Sequence, residues 1–205
     1  MQHNYENIEL FENIVAGFCG AKYGVAVDCC TNAIFLSLKY SSGGVEYVKI
    51  PKKTYISVPV MAIHAGLKIM FTDSEWSGMY ELTPTKVIDA AGRFKKNMYI
   101  KDSFQCLSFG SKKILSTGKG GMILTDDKEA YEWFKKVRFA GRPGPFYSQM
   151  QDVNVLGYHM QITPEIASRG IESFYGICHP QDDICRSKSY PDISGFSVFK
   201  QHLIH

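Results

Sequence analysis

The sequence predicts an α/β domain of three layers, in which a mainly parallel sheet lies between helices. Short apolar segments alternate with helical ones: strands are predicted at residues 23–27, 45–50 and 68–71, and helices at about 31–40 and 57–65. This alternation is typical of a parallel sheet with helices covering its faces. A chain of 205 residues is also long enough to bury a real core.

The rest of the chain extends this pattern. Further strands are predicted at residues 86–89, 106–109 and 122–125, and further helices at 4–18, 128–139 and 164–175. Thr163 is a good N-cap for the last helix, because Pro164 suits its first position. No helical or strand pattern is found at residues 74–85, 143–154 and 177–205. We therefore predict one large domain at residues 1–175 and an irregular C-terminal tail at 176–205.

Composition excludes several classes of function. Twenty-three basic and 20 acidic residues give a net charge of +3, too mild to indicate nucleic acid or an anionic membrane as partner. The absence of an 18-residue apolar run and of a leader predicts a cytoplasmic protein. Cysteines at positions 19, 29, 30, 106, 178 and 185 do not match zinc-ligand spacing, so we expect reduced thiols and no metal.

The strongest chemical signal is a loop between two apolar strands, at residues 103–121. It carries Lys112 and Lys113 and ends in a glycine-rich turn. Burial disfavours the charged form of a lysine, and a neutral amine can attack a carbonyl to form a Schiff base. A solvated loop lysine is the alternative. A P-loop is excluded, because residue 113 is not glycine and Gly120 follows Lys119.

Residues 108–121 resemble the lysine loop of the DegT-type sugar aminotransferases, pyridoxal-phosphate (PLP) enzymes of the aspartate-aminotransferase fold type. The resemblance implies that Lys113 holds PLP covalently and that Ser108 contacts the cofactor phosphate. Lys112 stands one residue too early for the family spacing. The resemblance covers about residues 8–175, the PLP-transferase-like large domain. We expect the small C-terminal domain of the family to be missing.

A strand that leads directly into a helix provides a candidate anion site at residues 20–33. Free amides and the positive end of the helix dipole face such a site, and Thr31 adds a hydroxyl. Taken alone, Thr31 is better explained as a helix cap. The segment resembles the family's first phosphate-binding turn, which implies that Cys30, Thr31 and Asn32 bind the cofactor. The family usually has Ser-Gly where this chain has Cys29-Cys30.

Two more residues match family positions on the cofactor ring. Tyr55 falls where the family places an aromatic ring against the pyridine face, although a core or surface tyrosine is the simpler explanation without the family. Asp89 ends a predicted strand, where a carboxylate can pair with the pyridine nitrogen; a turn cap is the alternative. The family continues with Gln or His, whereas this chain has Gly92 and Arg93, so that contact is unfilled or made by Arg93 or water.

Residues 157–167 resemble the segment that reaches the partner's active site in family dimers. His159 occupies the position where the family usually has an Asn on the phosphate, and His can also donate a hydrogen bond there. The resemblance thus implies a homodimer with shared sites. We expect Tyr158, Met160 and Ile162 to be buried by the partner.

The function implied by the resemblance is transamination of a keto group on a nucleotide-linked sugar, with an amino acid such as glutamate as donor. Two alternatives stay open. Another PLP reaction, such as sugar dehydration, uses the same scaffold, although the presence of Lys113 favours transamination. A shortened PLP-binding or oligomerising remnant without turnover is favoured by Gly92, His159 and the missing domain.

Overall fold

The computed structural model describes residues 3–144, 152–177 and 181–204. Its α-helices are α1 (His3–Cys19), α2 (Cys30–Ser41), α3 (Ser57–His64), α4 (Lys128–Val137) and α5 (Pro164–Gly176). Its strands are β1 (Tyr23–Val27), β2 (Tyr47–Pro51), β3 (Lys68–Thr72), β4 (Tyr80–Leu82), β5 (Val87–Asp89), β6 (Phe104–Ser108) and β7 (Gly121–Thr125). Short 3-10 helices span Ser187–Ser189 and Ser197–His202. The predicted α/β class is confirmed.

Strand order in the main sheet is β1-β7-β6-β5-β4, and β2 and β3 form a separate parallel pair. The main sheet is mixed: β1, β5 and β6 run in one direction, while β7 and β4 run in the other. The four residues between β4 and β5 are too few for a crossover helix, so these two strands pair antiparallel. The loop between β6 and β7 forms no helix, and β7 returns antiparallel to β6.

Helices cover both faces of the main sheet and give the predicted three layers. Alternate strand residues point to opposite faces, so Val25 and Cys106 join one core cluster and Ala26 and Leu107 the other. The first cluster includes apolar residues of α2, α3 and α4, and the second includes those of α1 and α5. The strands are therefore buried on both sides, as their nearly continuous apolar sequences require.

The C-terminal residues 181–204 contact this core. Ile193 and Phe199 are buried in the first cluster, and Phe199 meets the ring of Phe71 on β3. Backbone bonds reach the same region, since the Ile193 amide donates to Lys52 at 3.0 Å. The boundary placed at residues 175–176 stays a prediction. Of the predicted loop at 143–154, residues 145–151 lie outside the described ranges, as does Cys178.

No helix in the described parts of the chain has the length and hydrophobicity needed to cross a membrane.

Candidate functional site

A cavity of about 560 Å³ opens at the carboxyl edge of β5 and β6, beside the first turns of α2 and α3. Open α/β sheets place their ligand-binding groups at this edge. Six of the eight predicted site residues line the cavity: Cys30, Thr31, Tyr55, Asp89, Ser108 and Lys113. The structure therefore brings together side chains that are up to 83 positions apart, from Cys30 to Lys113.

Residues with hydroxyl side chains line this cavity, and two of the hydroxyls are adjacent. Thr31 Oγ1 lies 2.9 Å from Ser57 Oγ, and Ser108 lines the same cavity at the end of β6. Cys29, the N-cap of α2, makes no side-chain capping bond, so the first amides of α2 lack that partner. Hydroxyls beside an uncapped helix start are suited to an anion. Ser57 was not predicted as a site residue, although the sequence placed it at the start of a helix.

The α2 turn forms without the Ser-Gly pair of the family. Cys29 adopts an extended backbone with φ −165°, and the helix then begins at Cys30. Close approach of this turn to β7 requires a glycine at position 121, where a Cβ would lie 2.5 Å from the Cys29 carbonyl carbon and the Cys30 nitrogen. Cys30 Sγ donates to the Cys106 carbonyl at 3.6 Å, and burial raises the pKa of this thiol well above its usual value. Cys30 is therefore a neutral packing group at the cavity wall.

Asp89 lies at the end of β5 with only 6% of its surface exposed. Its carboxylate accepts the Ala91 amide at 2.9 Å and the Tyr80 hydroxyl at 2.8 Å. Burial raises the pKa of Asp89, against the opposing effects of the Ala91 and Tyr80 hydrogen bonds and of the Lys113 charge. None of the salt bridges among the described residues includes Asp89. A cation in the cavity would therefore stabilise this carboxylate.

Tyr80 was not predicted, because its strand lies in a stretch that showed no pattern. β4 pairs antiparallel with β5, and the register places Tyr80 directly opposite Asp89. The Tyr80 hydroxyl also makes a short contact with the Thr54 hydroxyl. Thr54, Tyr80 and Asp89 thus form a chain of hydrogen bonds that holds the carboxylate in one orientation.

The loop after β6 carries Lys113 into the cavity. A turn closes where the Lys113 amide donates to the Gly110 carbonyl at 2.9 Å. Lys113 is half-buried, and its Nζ lies 3.8 Å from Cys185 Sγ. Lys112 and Lys119 also line the cavity but are exposed. Of the three amines, that of Lys113 is the most sheltered from water.

Tyr55 stands at the cavity mouth with 57% of its surface exposed, so its ring is available to a flat ligand. Two predicted residues do not line the cavity. The Asn32 side chain turns to Asp28, 2.7 Å away. His159 pairs through its backbone with Phe139, and its ring lies 3.1 Å from Gln161.

The position after Asp89 is filled by the C-terminal region. Arg93 turns away from the cavity to Asp183, so it does not replace the family's Gln or His. Ile184, Cys185 and Tyr190 instead line the cavity beside Gly92. These residues were missed because the tail has no periodic pattern; Gly92 was the only signal in the sequence.

Comparison with known proteins agrees with this geometry. A model of the DegT/DnrJ/EryC1/StrS aminotransferase family matches residues 1–100 and 91–177. The spore coat polysaccharide biosynthesis protein SpsC of Bacillus subtilis (strain 168) is 30% identical over 179 residues, 65% of this chain and 46% of that protein. The chain thus spans about half the length of this relative.

Solved structures show the same fold. The sugar aminotransferase CalS13 from Micromonospora echinospora has a TM-score of 0.69 at 18% identity, over 82% of this chain and 60% of its own. GDP-4-keto-6-deoxymannose-3-dehydratase (ColD) has a TM-score of 0.67 at 14% identity, over 83% of this chain and 60% of its own. Because the family model covers most of the sequence, the chain belongs to the DegT/DnrJ/EryC1/StrS aminotransferase family.

Proposed function

We propose that this chain binds PLP and transfers an amino group from an amino acid to a keto group on a nucleotide-linked sugar. The observation that carries the proposal is the pairing of groups in one cavity: the Lys113 amine and the buried Asp89 carboxylate both line it. A lysine for the Schiff base and a carboxylate for the pyridine nitrogen are one of the pairs of groups by which proteins hold PLP.

The residues present fit this cofactor. Asp89 is a buried acceptor without a salt bridge to any described residue, as a partner for a protonated pyridine nitrogen should be. Thr31, Ser57 and Ser108 supply hydroxyls for the phosphate, beside the first amides of α2. The exposed ring of Tyr55 is available to cover the pyridine face.

PLP, when bound, supplies an electron sink for the carbon that loses a proton. The chain's own residues then have defined tasks. Lys113 Nζ would hold the cofactor and would move a proton as general acid and base. Asp89 keeps the pyridine nitrogen protonated, and Tyr80 with the Ala91 amide keeps Asp89 oriented.

A homodimer is the second part of the proposal, with His159 reaching the partner's phosphate site. The expectation for one neighbour of His159 was wrong: Ile162 is only 1% exposed within its own chain, so a partner cannot bury it further. Leu156 is the most exposed large hydrophobic residue among the described residues of this region, at 95%. Light scattering at micromolar concentration with PLP present should give the mass of two chains, and a monomer would contradict the dimer.

Two observations favour the alternatives. The likeness to ColD covers the same fold and leaves sugar dehydration open, although Lys113 supports transamination. The C-terminal residues Ile184, Cys185 and Tyr190 line the cavity where the family has its Gln or His, which suits a PLP-binding remnant without turnover.

Reduction with borohydride tests the proposal. Purified protein mixed with PLP should absorb in the visible, and borohydride should fix the cofactor to the peptide that contains Lys113. Lys113→Ala should abolish the fixation, while Lys112→Ala, the matched control, should keep it. Loss of the visible band on adding glutamate would then separate transamination from binding alone. Label on Lys112 or Lys119, or no label with excess PLP, would refute the proposal.

A further inference from the structure

Residues 183–190, named the strap below, are joined to the cavity rim by backbone hydrogen bonds. The Gly78 amide donates to the Cys185 carbonyl at 2.8 Å, and the Ile184 amide donates to the Gly92 carbonyl at 3.0 Å. A third bond runs from the Ser187 amide to the Trp76 carbonyl at 3.0 Å. The strap is therefore paired with two separate segments that flank β4 and β5.

Charge fixes one end of the strap. Arg93 binds Asp183 in a bidentate manner, with Nε 2.8 Å from Oδ1 and Nη2 2.6 Å from Oδ2. Lys95 Nζ lies 3.4 Å from the same carboxylate, and Ser77 Oγ donates to it at 3.1 Å. The Asp183 side chain is only 9% exposed, so this is a sheltered ion pair of the stronger kind.

The sequence at position 92 matches the presence of the strap. A Cβ on Gly92 would lie 2.8 Å from Cys185 Cβ and 3.0 Å from the Gly78 carbonyl oxygen. Backbone and Cβ atoms cannot move aside easily at such distances, so any side chain at position 92 would displace the strap. The strap can therefore lie in its observed position only because residue 92 is glycine.

The strap delivers a thiol to the reacting lysine. Cys185 lines the cavity, and Lys113 Nζ lies 3.8 Å from Cys185 Sγ, within hydrogen-bond distance for sulfur. We propose that Cys185 is a positioning residue of this site: its sulfur accepts a hydrogen bond from Lys113 Nζ and directs the amine toward a carbonyl ligand. The proposal rests on the proposed function only in taking Lys113 as the reacting lysine.

A reagent that requires both groups tests the pair directly. o-Phthalaldehyde joins a neighbouring primary amine and thiol as a fluorescent isoindole: the nitrogen and the sulfur each bond to carbon, and two water molecules leave. Treatment of the full chain should give isoindole fluorescence, and mass spectrometry should find Lys113 joined to Cys185. Cys185→Ser should lose the fluorescence. Cys29→Ser, a matched control that removes another cavity thiol, should keep it.

Two outcomes would contradict the proposed contact between Lys113 and Cys185. One is fluorescence retained in Cys185→Ser, and the other is a wild-type product in which the reagent is attached to Lys113 without Cys185. Should Cys185→Ser fail to fold, the cross-linked peptide of the wild-type protein still decides. PLP added beforehand should protect the pair if PLP binds at Lys113. An isoindole without PLP protection would refute the proposed function while leaving the pair intact, so the two failures are distinguishable.

The positioning role has its own readout, because serine at position 185 can replace the hydrogen bond to the Lys113 amine whereas alanine cannot. The rate at which borohydride fixes PLP on Lys113 should be measured against pH in Cys185→Ala and Cys185→Ser. The alanine variant should slow fixation by up to about tenfold, the effect of one ordinary hydrogen bond, and shift its pH midpoint. Serine should restore part of both. Identical pH profiles in wild type and Cys185→Ala would overturn the role.

Discussion

Among the residues that the structure describes, Glu12 and Asp89 are buried carboxylates, and their partners differ. Glu12 on α1 is 2% exposed; it accepts the Ala26 amide at 2.9 Å, contacts the Arg138 guanidinium closely and lies 3.2 Å from Lys135 Nζ. Asp89 is 6% exposed and has a hydroxyl and an amide as partners but no salt bridge to any described residue.

This difference in partners gives the two carboxylates different roles: Glu12 stabilises the fold, and Asp89 is suited to bind a ligand. Glu12 has both basic partners inside the fold, so its charge joins α1, β1 and α4 and leaves nothing for a ligand. Asp89 is held in place by neutral donors alone, which orient the carboxylate without neutralising it. A buried charge that is oriented but not neutralised indicates a binding site for the opposite charge.

The largest expected effect is on Glu12. Glu12→Ala should lower the free energy of unfolding by about 3–5 kcal/mol, because Arg138 is left buried without its counter-charge. Urea unfolding followed by circular dichroism measures the change. Glu9→Ala, which removes an exposed carboxylate from the same helix, should change stability by less than about 0.5 kcal/mol. Equal effects of the two variants would contradict the structural role given to Glu12.

Asp89→Asn should have the opposite effect to Glu12→Ala, since it should spare stability and weaken ligand binding. The amide keeps the shape of the carboxylate and removes a buried charge, so the apoprotein should be at least as stable as wild type. PLP affinity should fall by about 2–5 kcal/mol, the range for losing one partner of a buried charge pair. Absorbance titration with PLP and urea unfolding measure the two effects. A destabilised variant with unchanged PLP affinity would place Asp89 with Glu12.

The pH dependence of stability should have opposite signs at Asp89 and Asp183. Burial raises the pKa of Asp89, so the folded state holds its proton more tightly, and stability is lost as pH rises from 3.8 through the raised value. The Arg93 hydrogen bonds lower the pKa of Asp183 to about 2, so its stabilisation is present above 3.8 and lost as pH falls toward 2.

With solvent screening taken into account, the lowered pKa of Asp183 corresponds to at most about 2 kcal/mol of stabilisation. Urea midpoints across the acidic range should therefore show opposite slopes for the two contributions, each removed by its own substitution, Asp89→Asn or Asp183→Asn. Slopes of the same sign would contradict the assignment.

The smallest expected effect comes from Tyr80. Tyr80→Phe removes one hydrogen bond to Asp89, so PLP affinity should fall by about 1 kcal/mol, roughly fivefold. Tyr99→Phe removes comparable hydrogen bonds to Ser103 and Asp126, away from the cavity, and should leave PLP affinity unchanged. Equal affinities of the two variants for PLP would show that Tyr80 does not orient Asp89.

Sequence reasoning succeeded where position along the chain decides position in space. Asp89 and Ser108 end β5 and β6, and Thr31 lies in the first turn of the helix after β1, so the predicted strands together with the family resemblance placed all three at one edge of the sheet. Lys113 is held by a local turn to Gly110, which the loop sequence encodes.

Elements that exist only through distant pairing could not be predicted. β4 has only three residues and forms because it pairs with β5. Its own sequence is too short to show a strand periodicity. The strap depends on Arg93 and Asp183, which are 90 positions apart, and on the space left by Gly92. Local propensity carries no information about such contacts.

The pairing of β1 has a consequence for how the chain is made. β1 pairs with β7 alone among the described strands, and Tyr23 faces Thr125, roughly a hundred residues later. During synthesis this apolar strand must therefore wait on the ribosome for several seconds, at about 5–20 residues per second, before its partner emerges. Until then its unpaired edge is open to pairing with other chains. The need for protection by chaperones should thus be greatest for nascent chains that end before β7.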